Sequence, residues 1–138
     1  MSIRNRLLQL ALVVLSLAIG MQAADDTANC SNATLHGSYG LHATGTTASG
    51  EFAAIGRFTY DGKGNLTGKL FARSAGENVE PPEFTGTYSV TPDCMMTDAF
   101  GPPLNSTHVS VIVDNGKEYF IIDTTLGHGT VSGVARRQ

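Results

Sequence analysis

The sequence predicts an all-β protein: a single eight-stranded antiparallel up-and-down barrel that follows an N-terminal signal peptide. Three observations predict it. Apolar residues beyond Cys30 alternate with a period of two and do not recur every three or four. The alternating runs are short and rich in Gly, Thr, Val and aromatic residues, with Gly, Pro, Asn and Asp clusters between them. The first two dozen residues carry a basic, apolar and small-residue succession that belongs to export and not to a folded domain.

That leader comes first in the chain. Arg4 and Arg6 precede an apolar run from Leu7 to Ile19, interrupted only by Gln9 and Ser16, and Ala18, Gly20, Ala23 and Ala24 follow. Residues 1–23 are therefore read as a signal peptide cut near Gly20 to Ala24. As a helix the run would span roughly 20 Å, short of the hydrocarbon core of about 30 Å. The expected location is secreted or periplasmic. Residues 24–33 make an N-terminal segment and residues 34–138 the barrel domain, enough chain for one core.

The strands follow in order. Leu35, Gly37, Tyr39, Leu41 and Ala43 share one face of the first, and Phe52, Ala54, Gly56, Phe58 and Tyr60 one face of the second. Leu66, Gly68, Leu70 and Ala72 mark the third, and Phe84, Gly86, Tyr88 and Val90 the fourth. A fifth begins at Cys94 and carries Met96. Val109, Val111 and Val113 mark the inner face of a sixth, Phe120 and Ile122 that of a seventh, and Val131, Gly133 and Ala135 that of an eighth. Asp61-Gly62-Lys63-Gly64-Asn65 and Thr91-Pro92-Asp93 read as turns, and Asp114-Asn115-Gly116-Lys117 holds the Asn-Gly pair that type I′ hairpins prefer. These turns set Tyr39 opposite Gly56, Gly37 opposite Phe58, and Phe58 opposite Gly68. Rings lying over cross-strand glycines are one way to pack and curve a sheet.

Strand parity sorts the ends. Cys30 lies below the first strand and Cys94 starts the fifth, at the same end, so a Cys30–Cys94 disulfide is expected in an exported chain with two cysteines. The looser connections, Gly45–Gly50, Ser74–Pro82, Gly101–Ser106 and Thr125–His128, gather at the other end. Functional loops on such scaffolds usually cluster at one end. An eight-stranded barrel is just wide enough to be filled by side chains or to hold one small ligand.

Composition narrows the function. Without Arg4 and Arg6 the 9 basic residues fall to seven against 12 acidic ones, a net charge near −5. No basic run is present, so neither nucleic acid nor an anionic membrane surface is an expected partner. No second stretch is long enough to span a bilayer, so no membrane contact is expected after signal cleavage. The two cysteines offer too few ligands for a metal, and His36 and His42 lie about 20 Å apart along one strand, so no metal is expected, nor any cofactor. Asn32, Asn65 and Asn105 begin formal glycosylation sequons, relevant only in a host that glycosylates its exports.

The stretch Gly56-Arg-Phe-Thr-Tyr-Asp-Gly-Lys-Gly-Asn-Leu-Thr-Gly68, with Gly86-Thr-Tyr-Ser-Val-Thr-Pro-Asp-Cys94 and Val113-Asp-Asn-Gly-Lys117, resembles runs in small secreted bacterial proteins of unknown role. Those proteins look like calycin-type or allene-oxide-cyclase-like barrels. The resemblance rests on turn and packing residues, implies the fold, and carries over no catalytic residue.

Candidate site residues come from parity. His36, His42 and His108 point outward and His128 sits in an open-end loop, so each reads as a solvated histidine. Asp98 points inward, opposite Gly86, if the fifth strand keeps the register of Cys94 and Met96. A bulge after Met96 would instead send Asp98 to solvent and Ala99 inward. Glu77, Glu80 and Glu83 read as a solvated acidic loop. Ile112, Tyr119 and Ile121 fall on the outer face if the valines face in, as a surface for a homo-oligomer or other partner, or as one covered by residues 25–33.

The expected function is non-catalytic: binding a small apolar molecule in the barrel mouth on Phe52, Phe84 and Tyr88 with Asp98 as polar contact, or serving as an extracellular module. One alternative is a cyclase or isomerase folding a hydrophobic substrate in the same cavity. Another is a filled barrel that binds a protein through its outer surface. An interior volume separates the hollow readings from the filled one.

Overall fold

The computed structural model describes residues 29–138, so the signal-peptide reading of residues 1–23 lies outside the described residues. Nine strands follow one another: β1 (His36–Thr47), β2 (Gly50–Asp61), β3 (Asn65–Ser74), β4 (Glu77–Val79), β5 (Phe84–Val90), β6 (Met95–Phe100), β7 (Ser106–Val113), β8 (Glu118–Asp123) and β9 (Thr130–Arg137). Eight of them close an antiparallel ring in the order β2-β1-β9-β8-β7-β6-β5-β3, sealed by β2 pairing with β3. The ninth, β4, lies outside the ring as a short hairpin on the upper half of β3, with Ala72 paired to Val79. It falls within the Ser74–Pro82 connection that the sequence reads as a loop.

Pairing runs farther than the turn residues suggest. β1 and β2 stay paired out to Thr47 and Gly50, leaving Ala48-Ser49 as a two-residue turn. Tyr39 therefore faces Phe58 and Leu41 faces Gly56, two residues from the expected register. A slip of two keeps every side chain on its own face, so the inner set is unchanged. The β2–β3 register has Phe58 opposite Gly68, as expected. The Asp114–Lys117 connection is a four-residue loop between Val113 and Glu118, with Asp114, Asn115 and Gly116 all at positive φ, and not a two-residue type I′ turn.

Two strands have the opposite face inward from the one expected. On β7 the inner positions are Ser106, His108, Ser110 and Ile112, while Val111 is exposed. On β8 Tyr119 and Ile121 are buried, and Phe120 and Ile122 are 48% and 44% exposed. Ile112, Tyr119 and Ile121 thus belong to the core, and the outer patch expected of them is absent; Met95, Val111, Phe120 and Ile122 take the outer positions. The cause is physical. Tyr119-Phe120-Ile121-Ile122 is apolar at both parities, so alternation cannot orient it. On β7 the β-branched valines suit an exposed pleat, while the polar inner residues lie beside a carboxylate that needs a partner.

The core is graded along the barrel axis. All four tyrosines, Tyr39, Tyr60, Tyr88 and Tyr119, pack in the lower half, with Tyr60 Oη and Tyr119 Oη hydrogen-bonded at 2.7 Å. Burial drives both phenols well above their ordinary pKa. Above them Phe58, Phe84 and Phe100 form a cluster with centroids 5.0–5.9 Å apart. The lower mouth is shut by the N-terminal segment, whose Asn32–Thr34 forms one 3-10 turn. Leu35 is fully buried, the Asn32 side-chain oxygen accepts from Val90 N–H at 2.8 Å, and the Tyr88 hydroxyl lies 3.0 Å from both Asn32 and Leu35 carbonyls. Arg137 donates to the Tyr39 hydroxyl at 2.9 Å and to Thr34 O at 3.3 Å.

The Cys30–Cys94 disulfide ties this plug to the start of β6, with Cα atoms 5.0 Å apart. Closing a loop of 64 residues stabilises by roughly 4 kcal/mol in the chain-entropy picture.

Gly68 has no room for a side chain. A Cβ there would sit 2.4 Å from Phe84 Cζ and 2.7 Å from Phe58 Cδ1. Gly68→Ala is expected to lower stability by about 1–3 kcal/mol through displacement of this ring pair, read as a lower urea midpoint. The Asp61 carboxylate accepts from the Asn65 side chain at 2.7 Å and from the Lys63 and Asn65 backbone N–H groups, which hold its pKa at about 2. A folded pKa below the unfolded value means that this contribution is present above the unfolded pKa of about 4 and is lost as pH falls through about 2. The stability gap between wild type and Asp61→Asn should therefore shrink in urea melts taken from pH 5 down to pH 2.

Candidate functional site

The same grading leaves the upper half hollow. Along β1 the inner residues shrink from Tyr39 through Leu41 and Ala43 to Gly45, and along β2 from Tyr60 and Phe58 to Gly56 and Ala54. Ala72 on β3, Ser106 on β7 and Gly133 on β9 add no bulk at the same end. Eight strands fix the radius, so small side chains leave space that the backbone cannot close. The result is a cavity of about 420 Å³ at the end bearing the β1–β2, β3–β5, β6–β7 and β8–β9 connections. Leu41, Ala43, Ala54, Leu70 and Val131 form its walls, and Phe58, Phe100 and His108 its floor. Phe52 and Leu104 stand higher, among the loops.

The floor carries a buried polar pair. Asp98 on β6 and His108 on β7 are direct cross-strand partners, and His108 Nδ1 lies 2.6 Å from Asp98 Oδ1. Asp98 is 5% and His108 9% exposed. A carboxylate oxygen only accepts, so the imidazole donates through Nδ1. This leaves Nε2 as the free ring nitrogen, without a hydrogen-bond partner among the described residues. The His108 ring packs on Phe100 with centroids 4.2 Å apart. Asp98 Oδ2 and Ser110 Oγ are buried without hydrogen-bond partners among the described residues.

A second, more exposed pair marks the rim. Asp123 Oδ2 lies 3.3 Å from His128 Nδ1, and Asp123 Oδ1 accepts from Thr125 N–H at 2.7 Å. Partial burial pushes the Asp123 carboxyl up, but the Thr125 hydrogen bonds and the nearby histidines outweigh it and hold its pKa below the ordinary value. Among the described residues, neither Lys nor Arg lines the cavity.

The expected site residues are thus distributed along the axis. Phe52 lines the cavity. Asp98 points inward as the unbroken register requires, without a bulge, though it faces Tyr88 and not Gly86, and it reaches the cavity through His108. Phe84 packs against Phe58 and Phe100 at the level of the floor, and Tyr88 sits at the closed end against the plug. His108 is not the outward, solvated histidine the sequence suggests. Its signal was the partner: a buried carboxylate needs a donor, and His108 is the titratable residue directly across the β6–β7 hairpin. His36, His42 and His128 are exposed.

Among solved structures, a redesigned β-barrel superposes with a TM-score of 0.51 at 16% identity, covering 78% of this chain and 94% of that one. The fold is that of a closed eight-stranded barrel. A de novo designed fluorescence-activating β-barrel gives a TM-score of 0.49 at 14% identity over 76% of this chain and 94% of its own. No protein-family model and no curated protein matches the chain. The similarity to the redesigned barrel therefore speaks to architecture alone.

Removing one member of the floor pair strands the other in the core. His108→Leu is expected to destabilise by about 3–5 kcal/mol, whereas changing both residues, Asp98→Leu with His108→Leu, should recover most of that loss. Urea melts of the single and paired variants check the ordering.

Proposed function

We propose that the protein binds a small, mainly apolar molecule in the open-end cavity and works outside the cytoplasm. The single observation that carries the binding reading is the hollow, apolar upper half of a barrel whose other end is plugged. About 420 Å³ lies within the range of small-molecule sites, roughly 300–1,000 Å³, and a mainly apolar wall with a few polar groups, His108 on the floor and Asp123 with His128 at the rim, is what such sites use. A filled barrel acting only through its outer surface would have spent its large side chains evenly along the axis. The extracytoplasmic reading is supported by the Cys30–Cys94 disulfide together with the leader pattern of residues 1–23. Kinship with calycin-type secreted barrels is the family reading that accords with both.

Phe52 contacts the ligand in this reading, and the Phe58 and Phe100 rings form the surface on which it rests. Phe84 supports those rings from the side, and Asp98 acts through His108. The neutral fluorophore N-phenyl-1-naphthylamine should bind the native protein with a saturable signal. Ala54→Phe puts a ring into the cavity and should weaken binding about tenfold or more while the protein stays folded. Equal binding by the filled variant would contradict the assignment of the cavity.

A further inference from the structure

We propose that the His108–Asp98 pair makes the cavity selective for neutral apolar molecules that carry one hydroxyl group, phenolic or alcoholic. This rests on the reading that the cavity binds an apolar molecule and adds what part of that molecule is recognised.

Asp98 is buried and its Oδ1 lies 2.6 Å from His108 Nδ1, so the ring hydrogen is held on Nδ1. When the ring is neutral, Nε2 carries a lone pair. His108 lines the cavity floor, and Nε2 has no hydrogen-bond partner among the described residues. A ligand group that donates a hydrogen bond therefore meets an acceptor at the floor, next to the Ser106 hydroxyl and among the Phe58 and Phe100 rings. A ligand without a donor leaves that acceptor unpaired once water is displaced, which costs binding energy.

The ionic character of the site selects among donors. Among the described residues the cavity lining contains no Lys or Arg, and the carboxylates in or next to it are Asp98 beneath the floor and Asp123 at the rim. With His108 neutral, a ligand carboxylate would meet no cation and would face two acidic side chains. It would also bring an acceptor to an acceptor. A hydroxyl brings a donor and no charge. Asp98 is thus a positioning residue: it fixes which nitrogen of His108 accepts. An amide in its place could donate to Nδ1 as readily as accept from it, and the tautomer would no longer be set.

Four probes of one shape test this on the whole folded protein: naphthalene, 2-naphthol, 2-methoxynaphthalene and 2-naphthoate. Water-to-apolar transfer alone favours naphthalene over 2-naphthol. The proposal expects the reverse order, with 2-naphthol bound about tenfold more tightly than naphthalene and than the methyl ether, and 2-naphthoate bound more weakly than 2-naphthol. Asp98→Asn should lower the 2-naphthol preference severalfold. The paired Asp98→Leu and His108→Leu variant, which removes both polar groups together and so avoids a stranded charge, should abolish it. The quantity read in each variant is the ratio of 2-naphthol to naphthalene affinity, so a change in overall affinity common to both probes does not bear on it. Equal binding of 2-naphthol and its ether, tighter binding of 2-naphthoate, or a preference that survives the paired variant would overturn the proposal while leaving the apolar cavity reading intact. Failure of naphthalene and 2-naphthol alike to bind would overturn both.

Discussion

A closed ring of eight strands has a radius that its side chains cannot alter, and that constraint governs everything inside this molecule. Space along the axis is filled or left empty according to the residue that each strand points inward at each height. Here the bulky residues are at one end. Four tyrosines, Leu35 and Met96 fill the lower half, three phenylalanines cap them, and alanine, glycine and serine occupy much of the upper half. Packing and cavity are two consequences of one distribution.

The closed end shows why the distribution is stable. Burying tyrosines demands partners for their hydroxyls. Tyr60 and Tyr119 satisfy each other, Tyr88 meets the carbonyls of Asn32 and Leu35, and Tyr39 bonds Gly116 O and receives Arg137. Three of those partners come from the N-terminal segment and the C-terminal strand. The plug is therefore held by the core residues it covers, and the disulfide fastens it to the turn before β6. With this end sealed and cross-linked, the open end can keep an apolar hollow and a buried Asp98–His108 pair, features that subtract from stability when taken alone.

Much of this was legible in the sequence because period-two alternation survives errors of register. Placing Tyr39 opposite Gly56 instead of Phe58 moves a contact but not a face, so the inner set of β1, β2 and β3 was readable. The disulfide followed from two cysteines behind an export leader, strand parity put both at one end, and the same count gave the loop-rich end. What failed was parity on β7 and β8. The valines of β7 invite a reading by hydrophobicity, yet the inward Ser106, His108 and Ser110 are tolerated beside Asp98 and the hollow. Apolar residues occupy both faces of β8, and only closure of the ring selects Tyr119 and Ile121. His108 was missed for the same reason: its role depends on a partner across a hairpin, a relation that single-strand patterning does not contain.

The central claim is that the upper barrel is a hollow that takes an apolar guest from the open end. Methyl NMR on the folded protein with added naphthalene tests it most directly. The account predicts saturable shifts confined to the inward methyls of Leu41, Ala43, Ala54, Leu70 and Val131, with the outward methyls of Val111 and Ile122 unmoved. Shifts on Val111 and Ile122 with silent inner methyls would contradict it, as would the absence of any shift at saturating naphthalene.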